Sequence, residues 1–283
     1  MLVSRAVRFI LFVVLSLLSA AASWAGDKVV VGRNWPAAQR ASMDSIDHSS
    51  WDALLKKYVD AKGDVNYATW KKTATDVKAL DAYLATLSRG LPGKASSRPA
   101  QLAYWVNAYN AVTVKGILRE YPTTSIRNHT AKLWGYNIWD DLLLVTPGGQ
   151  VSLNQMEHEI LRKMGDARIH FAIVCASKGC PRLLNQAYTA SSLDAQLTAN
   201  AKQFFSDSRR FNYDARTGRL NVSPILKWFA EDFGRNQAEQ LRFIAPFLPD
   251  AAAQQLATSG KASVSYLDYD WGLNEQPRAA ARR

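Results

Sequence analysis

Residues that usually carry catalytic or metal-binding chemistry are scarce in this sequence, which has two cysteines and four histidines among 283 residues. A framework of several disulfides is therefore excluded. The cysteines and histidines do not follow the spacing of a standard zinc site, and the chain lacks a Gly-x-Ser-x-Gly nucleophile motif. We therefore expect no metal and no cofactor.

Long apolar runs are absent apart from residues 9–18. This run is too short to cross a bilayer comfortably, and it follows the basic residues Arg5 and Arg8 and precedes small residues that end at Ala25. That order is typical of a secretory signal peptide. We predict a signal peptide over residues 1–25, with export to the periplasm or the medium, and an uncleaved anchor as the alternative. We expect no stable membrane insertion after cleavage.

Acidic residues are the minority, since 35 lysines and arginines against 24 aspartates and glutamates give a net charge of +11. Loss of Arg5 and Arg8 with the signal peptide lowers the net charge by two, to +9. The excess charge is dispersed, which favours a solvated basic surface with weak attraction to anionic envelope polymers. No nucleic-acid-binding motif is present. We expect an unidentified small molecule, peptide or envelope polymer as ligand.

The remaining composition indicates a folded protein, because 48% of the residues are hydrophobic and nine are tryptophan. The chain has no internal repeat and no long linker. We predict a single helix-rich α+β domain over residues 49–274 with a small mixed or antiparallel sheet. Residues 26–48 are expected to form an extended lead-in, and residues 275–283 a disordered basic tail.

Apolar spacing and turn residues predict the individual elements. Capping-box patterns occur at residues 49–52 and 152–155, each before a helix-like apolar repeat. The predicted helices cover residues 51–59, 80–87, 100–120, 153–164, 191–205 and 225–233, with a short one ending near residue 247. Two hairpins are predicted within residues 142–151 and 210–222, and a closing strand over residues 262–271.

Both cysteines lie in the stretch 168–181. Alternating β-branched and aromatic residues predict a strand over residues 169–174, followed by a glycine-containing loop that begins at Cys175. A junction of this kind presents a thiol on a rigid support. His170 and Cys175 would lie on different faces of a regular strand, so a bend after the strand is needed to bring them together.

Three states remain open for the cysteines: a Cys175–Cys180 disulfide, a nucleophilic Cys175, and inert or metal-bound thiols. Export favours the disulfide, because exported cysteines meet an oxidising environment. The ring is short, so closing it would add only about 2 kcal/mol of stability. A nucleophilic Cys175 would need a base to deprotonate it, and His170 and His158 are the candidates.

Two asparagines occupy positions where a core helix would favour apolar residues. Asn107 and Asn110 lie three residues apart, hence on neighbouring surface of the predicted helix. Buried amides must be hydrogen-bonded, so they either hold a loop or a backbone edge, or they line a site. With Ser177 they are the candidate substrate-binding residues.

Glu157 and His158 raise the same question on the predicted helix 153–164. Glu157 borders the apolar stripe of that helix, whereas His158 lies on the same side as Arg162. A partly buried glutamate needs a cation or a donor, and His170 or Arg168 would supply one. Glu157 is therefore either a structural ion-pair partner or a site residue.

Seven blocks of the sequence occur together in one known family, at residues 51–59, 103–110, 121–126, 153–162, 168–181, 223–233 and 269–274. Through them the chain resembles the domain-of-unknown-function 547 family, which occurs in exported bacterial proteins and in some eukaryotic multidomain proteins. The family name carries no established activity, so the resemblance transfers no catalytic residue. In some eukaryotic relatives the domain accompanies a glutaredoxin-like domain, which hints at thiol chemistry.

Two classes of function follow. The first is a thiol-dependent hydrolase or acyl-transfer enzyme in which Cys175 is the nucleophile, His170 or His158 its base, and Glu157 or an asparagine the orienting group. The second is a non-enzymatic envelope binding or assembly protein with a structural disulfide. The first class requires Glu157, His170 and Cys175 to meet, and we predict that Asn107 and Asn110 lie in the same neighbourhood.

Overall fold

The computed structural model describes residues 28–130 and 135–277. The predicted signal peptide and the last six residues of the predicted basic tail lie outside the described residues. Among those described, no helix combines the length and the apolar character needed to cross a membrane. Helices dominate and the sheets are small, which confirms the predicted α+β class.

Among the described residues, α-helices and strands are interspersed along the chain, and the longest connection lies between β5 and α6. In chain order they are β1 (Val29–Val31), β2 (Ala41–Ser42), α1 (Ser49–Tyr58), α2 (Tyr67–Lys72), α3 (Ala74–Leu87), β3 (Gly90–Leu91), α4 (Arg98–Glu120), α5 (Ile138–Asp141), β4 (Leu142–Thr146), β5 (Gly149–Ser152), α6 (Leu193–Ser206), β6 (Phe211–Asp214), β7 (Arg219–Val222), α7 (Ile225–Trp228), α8 (Ala230–Phe233), α9 (Gln237–Ile244), α10 (Ala251–Ser259) and β8 (Ser263–Tyr266).

Helix α4 runs through the middle of the molecule and is buried over most of its length. It begins where the Ser97 hydroxyl accepts a hydrogen bond from the Ala100 amide, with Pro99 in the first turn, where its missing N–H costs nothing. It ends at Glu120, directly before Tyr121 and Pro122, because proline keeps the preceding residue out of the helical region. Both ends lie within two residues of the predicted bounds.

Three small sheets surround the helices. Strand β4 pairs in parallel with β1 and antiparallel with β5, β2 pairs in parallel with β3, and β7 pairs antiparallel with β6 and in parallel with β8. Both predicted hairpins are present. The capping box after β5 also forms as predicted, because the Ser152 and Gln155 side chains each accept the other residue's amide proton.

The interior consists of two apolar clusters. The larger one packs α1 to α4 and the first sheet around buried aromatic residues such as Trp51 and Trp70. The smaller one, in the carboxyl-terminal half, is rich in phenylalanine and includes Phe171, Phe204 and Phe233. The segment after Phe171 passes from the second cluster to the first, and the candidate site lies along that passage.

The strand predicted over residues 169–174 is wrong. The structure has a 3-10 helix at Ala167–Phe171, and the chain then bends toward Cys175. Residues on both faces of the segment are buried, so their apolar alternation reflects enclosure rather than pairing in a sheet. The Asn110 side chain takes the place of a strand partner: its Nδ2 donates to the Ala172 carbonyl at 3.0 Å, and its Oδ1 accepts from the Val174 amide at 2.9 Å.

Several other elements differ from the prediction. Residue Asp47, rather than Ser49, accepts the first amide proton of α1, so the capping box at residues 49–52 does not form. The helix predicted over residues 225–233 is interrupted at Phe229, and the closing strand is limited to Ser263–Tyr266. Helices α2 and α10 were not predicted. Within residues 26–48, the described part contributes β1 and β2 to two sheets.

Asn110→Ala is expected to lower the free energy of unfolding by about 2–4 kcal/mol, because it leaves a buried carbonyl and a buried amide without partners. Chemical denaturation measures the loss. Asn212, on the exposed surface of β6, provides a control, since Asn212→Ala is expected to change the free energy by less than about 0.5 kcal/mol. Equal effects of the two substitutions would show that Asn110 does not hold the bend.

Candidate active site

A cavity of about 210 Å³ opens beside the cysteine loop. Both apolar clusters contribute to its walls, so its position depends on the packing of the two halves of the fold. Most of the wall is apolar, and ionisable groups reach it at a few points. The lining residues are Tyr109, Trp139, Asn154, Glu157, His158, His170, Ile173, Cys175, Cys180, Pro181, Ile225, Trp228, Phe229, Tyr269 and Trp271.

The loop that carries both cysteines is held by the segment just after β8. The amides of Lys178 and Gly179 donate to the Gly272 and Asp270 carbonyls at 2.8 Å each. Ala176, directly after Cys175, has a φ of 53°, a left-handed conformation that is unfavourable for a residue with a Cβ. Backbone pairing on both sides therefore fixes the direction of the Cys175 side chain.

The Cys175 sulfur is surrounded by hydrogen-bond donors. The Tyr269 and Ser177 hydroxyls each lie 3.1 Å from it, and the Cys180 sulfur lies 2.7 Å away. Burial raises the pKa of the Cys175 thiol, but the hydrogen bonds from these three groups outweigh burial and bring the pKa below its usual value. The thiolate, which is the reactive form, is therefore more populated than in a free cysteine.

Cys180 has a different environment, since it is only 5% exposed whereas Cys175 is partly exposed. Burial, followed by the hydrogen bond and the charge of Cys175, raises the pKa of the Cys180 thiol well above its usual value. Cys180 thus keeps its proton and donates it to the Cys175 sulfur. The predicted disulfide is not formed, because a sulfur–sulfur distance of 2.7 Å exceeds the roughly 2.05 Å of the covalent bond and both cysteines are free.

Glu157 reaches the same cavity from a π-helical turn at Gln155–Leu161, which replaces the regular helix predicted there. Isolated π-helical turns occur frequently at functional sites. The Tyr109 hydroxyl donates to the Glu157 carboxylate at 2.9 Å, so the partner is neither His170 nor Arg168. Burial raises the pKa of Glu157, and buried carboxyl groups of raised pKa are common among catalytic acids and bases.

His170 is the other buried polar group at the cavity. Its Nε2–H donates to the Asp232 carboxylate at 2.6 Å, and its ring stacks on Phe229 with a centroid distance of 4.1 Å. Burial lowers the pKa of His170 to about 4, against the opposing effect of Asp232. No hydrogen bond joins His170 to Cys175 in the described part of the chain, so the predicted Cys–His pair is not formed in this structure.

Arg162 neutralises Asp232, to which its Nε and Nη2 donate at 2.6 and 3.0 Å. Burial tends to raise the pKa of Asp232, but the bonds from Arg162 and His170 prevail and keep it below its usual value. Arg162 also donates to Nδ1 of His158 at 3.2 Å, which agrees with the predicted pairing of these two residues. His158 is exposed at the cavity rim and stacks on the outer side of Phe229.

The candidate substrate-binding residues do not line the cavity. Both polar atoms of the Asn107 side chain bond the backbone of Tyr188, at 2.8 and 2.9 Å. Asn110 is similarly engaged beside Cys175, and Ser177 is 1% exposed, with its hydroxyl 3.1 Å from Tyr269. The two asparagines thus hold the backbone near the site, and Ser177 acts on the Cys175 sulfur.

Several residues that line the cavity or support its walls were not predicted from the sequence. Asp232 and Tyr269 lie 62 and 94 positions away from the side chains they contact, so no local spacing indicates them. They do fall within two of the blocks that carry the family resemblance, 223–233 and 269–274. Trp228, which is 48% exposed, packs with Tyr269 and Trp271 to form an aromatic rim at the cavity entrance.

Within residues 28–130 and 135–277, no group of three histidine, cysteine, aspartate or glutamate side chains is placed so that it could bind a metal ion. The arrangement instead combines a thiol of lowered pKa with a carboxyl of raised pKa on one small cavity. These two groups have the properties of a nucleophile and an acid–base group.

Comparison with known families agrees with the sequence resemblance. A family model described as "Protein of unknown function, DUF547" matches residues 94–205, and over these residues the resemblance is confirmed. A search of curated proteins and a search of solved structures returned no match. The matched segment contains Glu157 and both cysteines, whereas Asp232 and Tyr269 lie beyond its end.

Proposed function

We propose that the cavity is the active site of a thiol-dependent enzyme of the hydrolase or acyl-transfer class, with Cys175 as its nucleophile. The observation that carries the proposal is the environment of the Cys175 sulfur: it borders a cavity, lies within hydrogen-bond distance of Tyr269, Ser177 and Cys180, and has a lowered pKa. A structural cysteine would instead be enclosed by apolar groups that raise its pKa.

In the first step, the Cys175 thiolate attacks the carbonyl carbon of an ester, thioester or amide. A carbon–sulfur bond forms, and the bond from the carbonyl carbon to its leaving group then breaks. Glu157, whose pKa burial raises, acts as the general acid and gives a proton to the leaving group. The products are an acyl thioester on Cys175, the protonated leaving group and a Glu157 carboxylate.

In the second step, water or an acceptor hydroxyl or amine attacks the thioester. Glu157 takes the proton from the attacking group as the new bond forms, and the Cys175 thiolate leaves. The product is an acid when water attacks and an ester or amide when an acceptor attacks, and both groups return to their starting protonation states. His170 is held by Asp232 and Phe229, so we assign it the role of positioning the cavity wall beside the reacting groups.

The walls favour an apolar acyl group, because tryptophan, tyrosine, phenylalanine and isoleucine side chains predominate among them. A volume of about 210 Å³ corresponds to about seven water molecules at about 30 Å³ each. The acyl group must therefore be small, while the leaving group extends past the open aromatic rim. Such a leaving group belongs to a small molecule, a peptide or an envelope polymer.

We further propose that the protein acts outside the cytoplasm, on the basis of the basic, apolar and small-residue order over residues 1–25. Amino-terminal sequencing of protein isolated from the cell envelope tests this assignment. We expect the mature chain to begin at Gly26. A chain that still begins with Met1 would contradict export with cleavage.

The enzymatic role is tested by mixing the reduced protein with p-nitrophenyl esters whose acyl chains increase in length. We expect a burst of nitrophenolate equal to the enzyme concentration, and an acyl adduct located on Cys175 by peptide mass spectrometry. The burst rate should fall once the chain outgrows the cavity. Reversible binding of the esters without a burst or an adduct would support the alternative, a non-enzymatic binding protein.

A further inference from the structure

Acyl transfer requires of Cys180 only its hydrogen bond to the Cys175 sulfur, yet the position of this second thiol relative to Cys175 is specific. The two sulfurs lie 2.7 Å apart, and the Cys175 amide donates to the Cys180 sulfur at 2.8 Å. Both residues line the cavity, but Cys175 is the more exposed and Cys180 the more buried. One sulfur is thus accessible to a small molecule, and the other lies directly behind it.

The protonation states of the two sulfurs are also complementary. The pKa of Cys175 is lowered and that of Cys180 is raised, so the exposed sulfur is the better thiolate and the buried sulfur retains its proton. This order suits a reaction in which the first sulfur attacks an electrophile and the second then attacks the first. The reverse order would leave the buried sulfur as attacker, without access to the substrate.

We propose that Cys175 and Cys180 together reduce small hydroperoxides, with Cys175 as the attacking sulfur and Cys180 as the resolving sulfur. This activity goes beyond acyl transfer; it uses the same cavity, the Cys175 thiolate and the Glu157 proton, and adds Cys180 as a second reacting sulfur. The aromatic cavity admits an alkyl or hydrogen peroxide more readily than a large ligand, because its volume is about 210 Å³.

The proposed peroxide reduction proceeds in three steps. The Cys175 thiolate attacks the outer oxygen of the hydroperoxide, the oxygen–oxygen bond breaks, and the departing oxygen takes a proton from Glu157 to leave as an alcohol or water. The product at Cys175 is a sulfenic acid. The Cys180 sulfur then attacks the Cys175 sulfur. The disulfide bond forms, the sulfur–oxygen bond breaks, and the hydroxyl leaves as water with the Cys180 proton. An external dithiol then reduces the disulfide to two thiols and is itself oxidised to a disulfide.

The fold permits the second step without unfolding of the loop. The sulfurs need to approach only from 2.7 Å to about 2.05 Å. The amides of Lys178 and Gly179 stay bonded to the segment after β8, outside the path of this approach. Resolution within one chain is therefore expected to be faster than any reaction between two protein molecules.

The proposal is tested with the reduced full-length mature protein, with hydrogen peroxide and tert-butyl hydroperoxide as probes and dithiothreitol as the dithiol. Intact mass spectrometry should show the loss of two hydrogen atoms in the wild type, and peptide mapping should locate a Cys175–Cys180 bond. Cys180→Ser should accumulate a sulfenic acid that dimedone traps, and Cys175→Ser should give neither product. Oxidation of the native chain should be about tenfold or more faster than that of the urea-unfolded chain.

Three results would overturn the proposal: equal oxidation rates in the native and unfolded chains, dimedone trapping on Cys180 rather than Cys175, or peroxide consumption that survives Cys175→Ser. Thermal unfolding of each variant shows whether it has folded. If a variant misfolds, the oxidation rates of the native and the unfolded wild-type chain still test the proposal. The ester assay contains no peroxide, so a failure of acyl transfer and a failure of peroxide reduction are distinguished.

Discussion

Cys175→Ser is expected to lower the rate of ester cleavage by at least about 10³-fold while the thermal unfolding temperature changes little. A serine hydroxyl has a pKa far above that of a thiol, and the neighbours of this position, Tyr269 and Ser177, stabilise an anion rather than abstract a proton. The hydroxyl would therefore stay protonated and unreactive. Steady-state kinetics with a short-chain p-nitrophenyl ester measures the loss.

Cys180→Ser is the matched comparison, because it replaces the other cysteine of the chain by the same residue. It keeps an O–H donor near Cys175, so we expect ester cleavage to fall by at most about tenfold. Similar losses in the two variants would indicate that the cysteines act as one structural unit. Full activity of Cys175→Ser would remove Cys175 from the mechanism.

Glu157→Gln is expected to lower the rate of ester cleavage by about 10²–10⁴-fold, with a smaller change in KM. The amide retains the size of the carboxyl group and an oxygen that accepts the Tyr109 hydrogen bond, but it cannot give or take the proton. The expected signature is a fall in kcat over the whole pH range, because no other pH restores a titratable group at this position.

Glu159 provides the control for Glu157, since it lies two residues along the same π-helical turn and is exposed. We expect Glu159→Gln to behave like the wild type.

His170→Asn separates the two candidate acid–base groups. A severe loss in His170→Asn combined with a mild loss in Glu157→Gln would assign the proton transfer to His170 and contradict our assignment.

The parts of the fold that follow local periodicity were predicted well. Helix α4, both hairpins and the capping box at residues 152–155 each depend on residues within a few positions of one another. The segment 169–174 was assigned the wrong structure, because burial on all sides produces the same apolar alternation as a covered strand. Its true partner, Asn110, lies 62 positions from Ala172.

The candidate site was only partly predictable, because some of its contacts also join residues that are far apart in the chain. The sequence indicated Cys175, Glu157 and His170, and the fold brings all three to one cavity. Some of the residues that determine their chemistry are distant in the chain: Tyr269 adds to Cys180 and Ser177 in lowering the pKa of the thiol, and Asp232 accepts the hydrogen bond of His170. The five-residue spacing placed His170 and Cys175 on different faces unless the chain bends, and in the structure the Asp232 contact holds the His170 ring.

The central claim, that the fold activates the Cys175 thiol, is tested most directly by its titration. Cys180→Ser leaves a single thiol, so the rate of alkylation by iodoacetamide as a function of pH reports the ionisation of Cys175 alone in the native and in the urea-unfolded chain. The donors Tyr269 and Ser177 stabilise the thiolate only in the native state, so the native pKa should lie below the unfolded value of about 8.5. Adding Tyr269→Phe, which removes one donor, should raise it. A native pKa at or above the unfolded value would contradict the account.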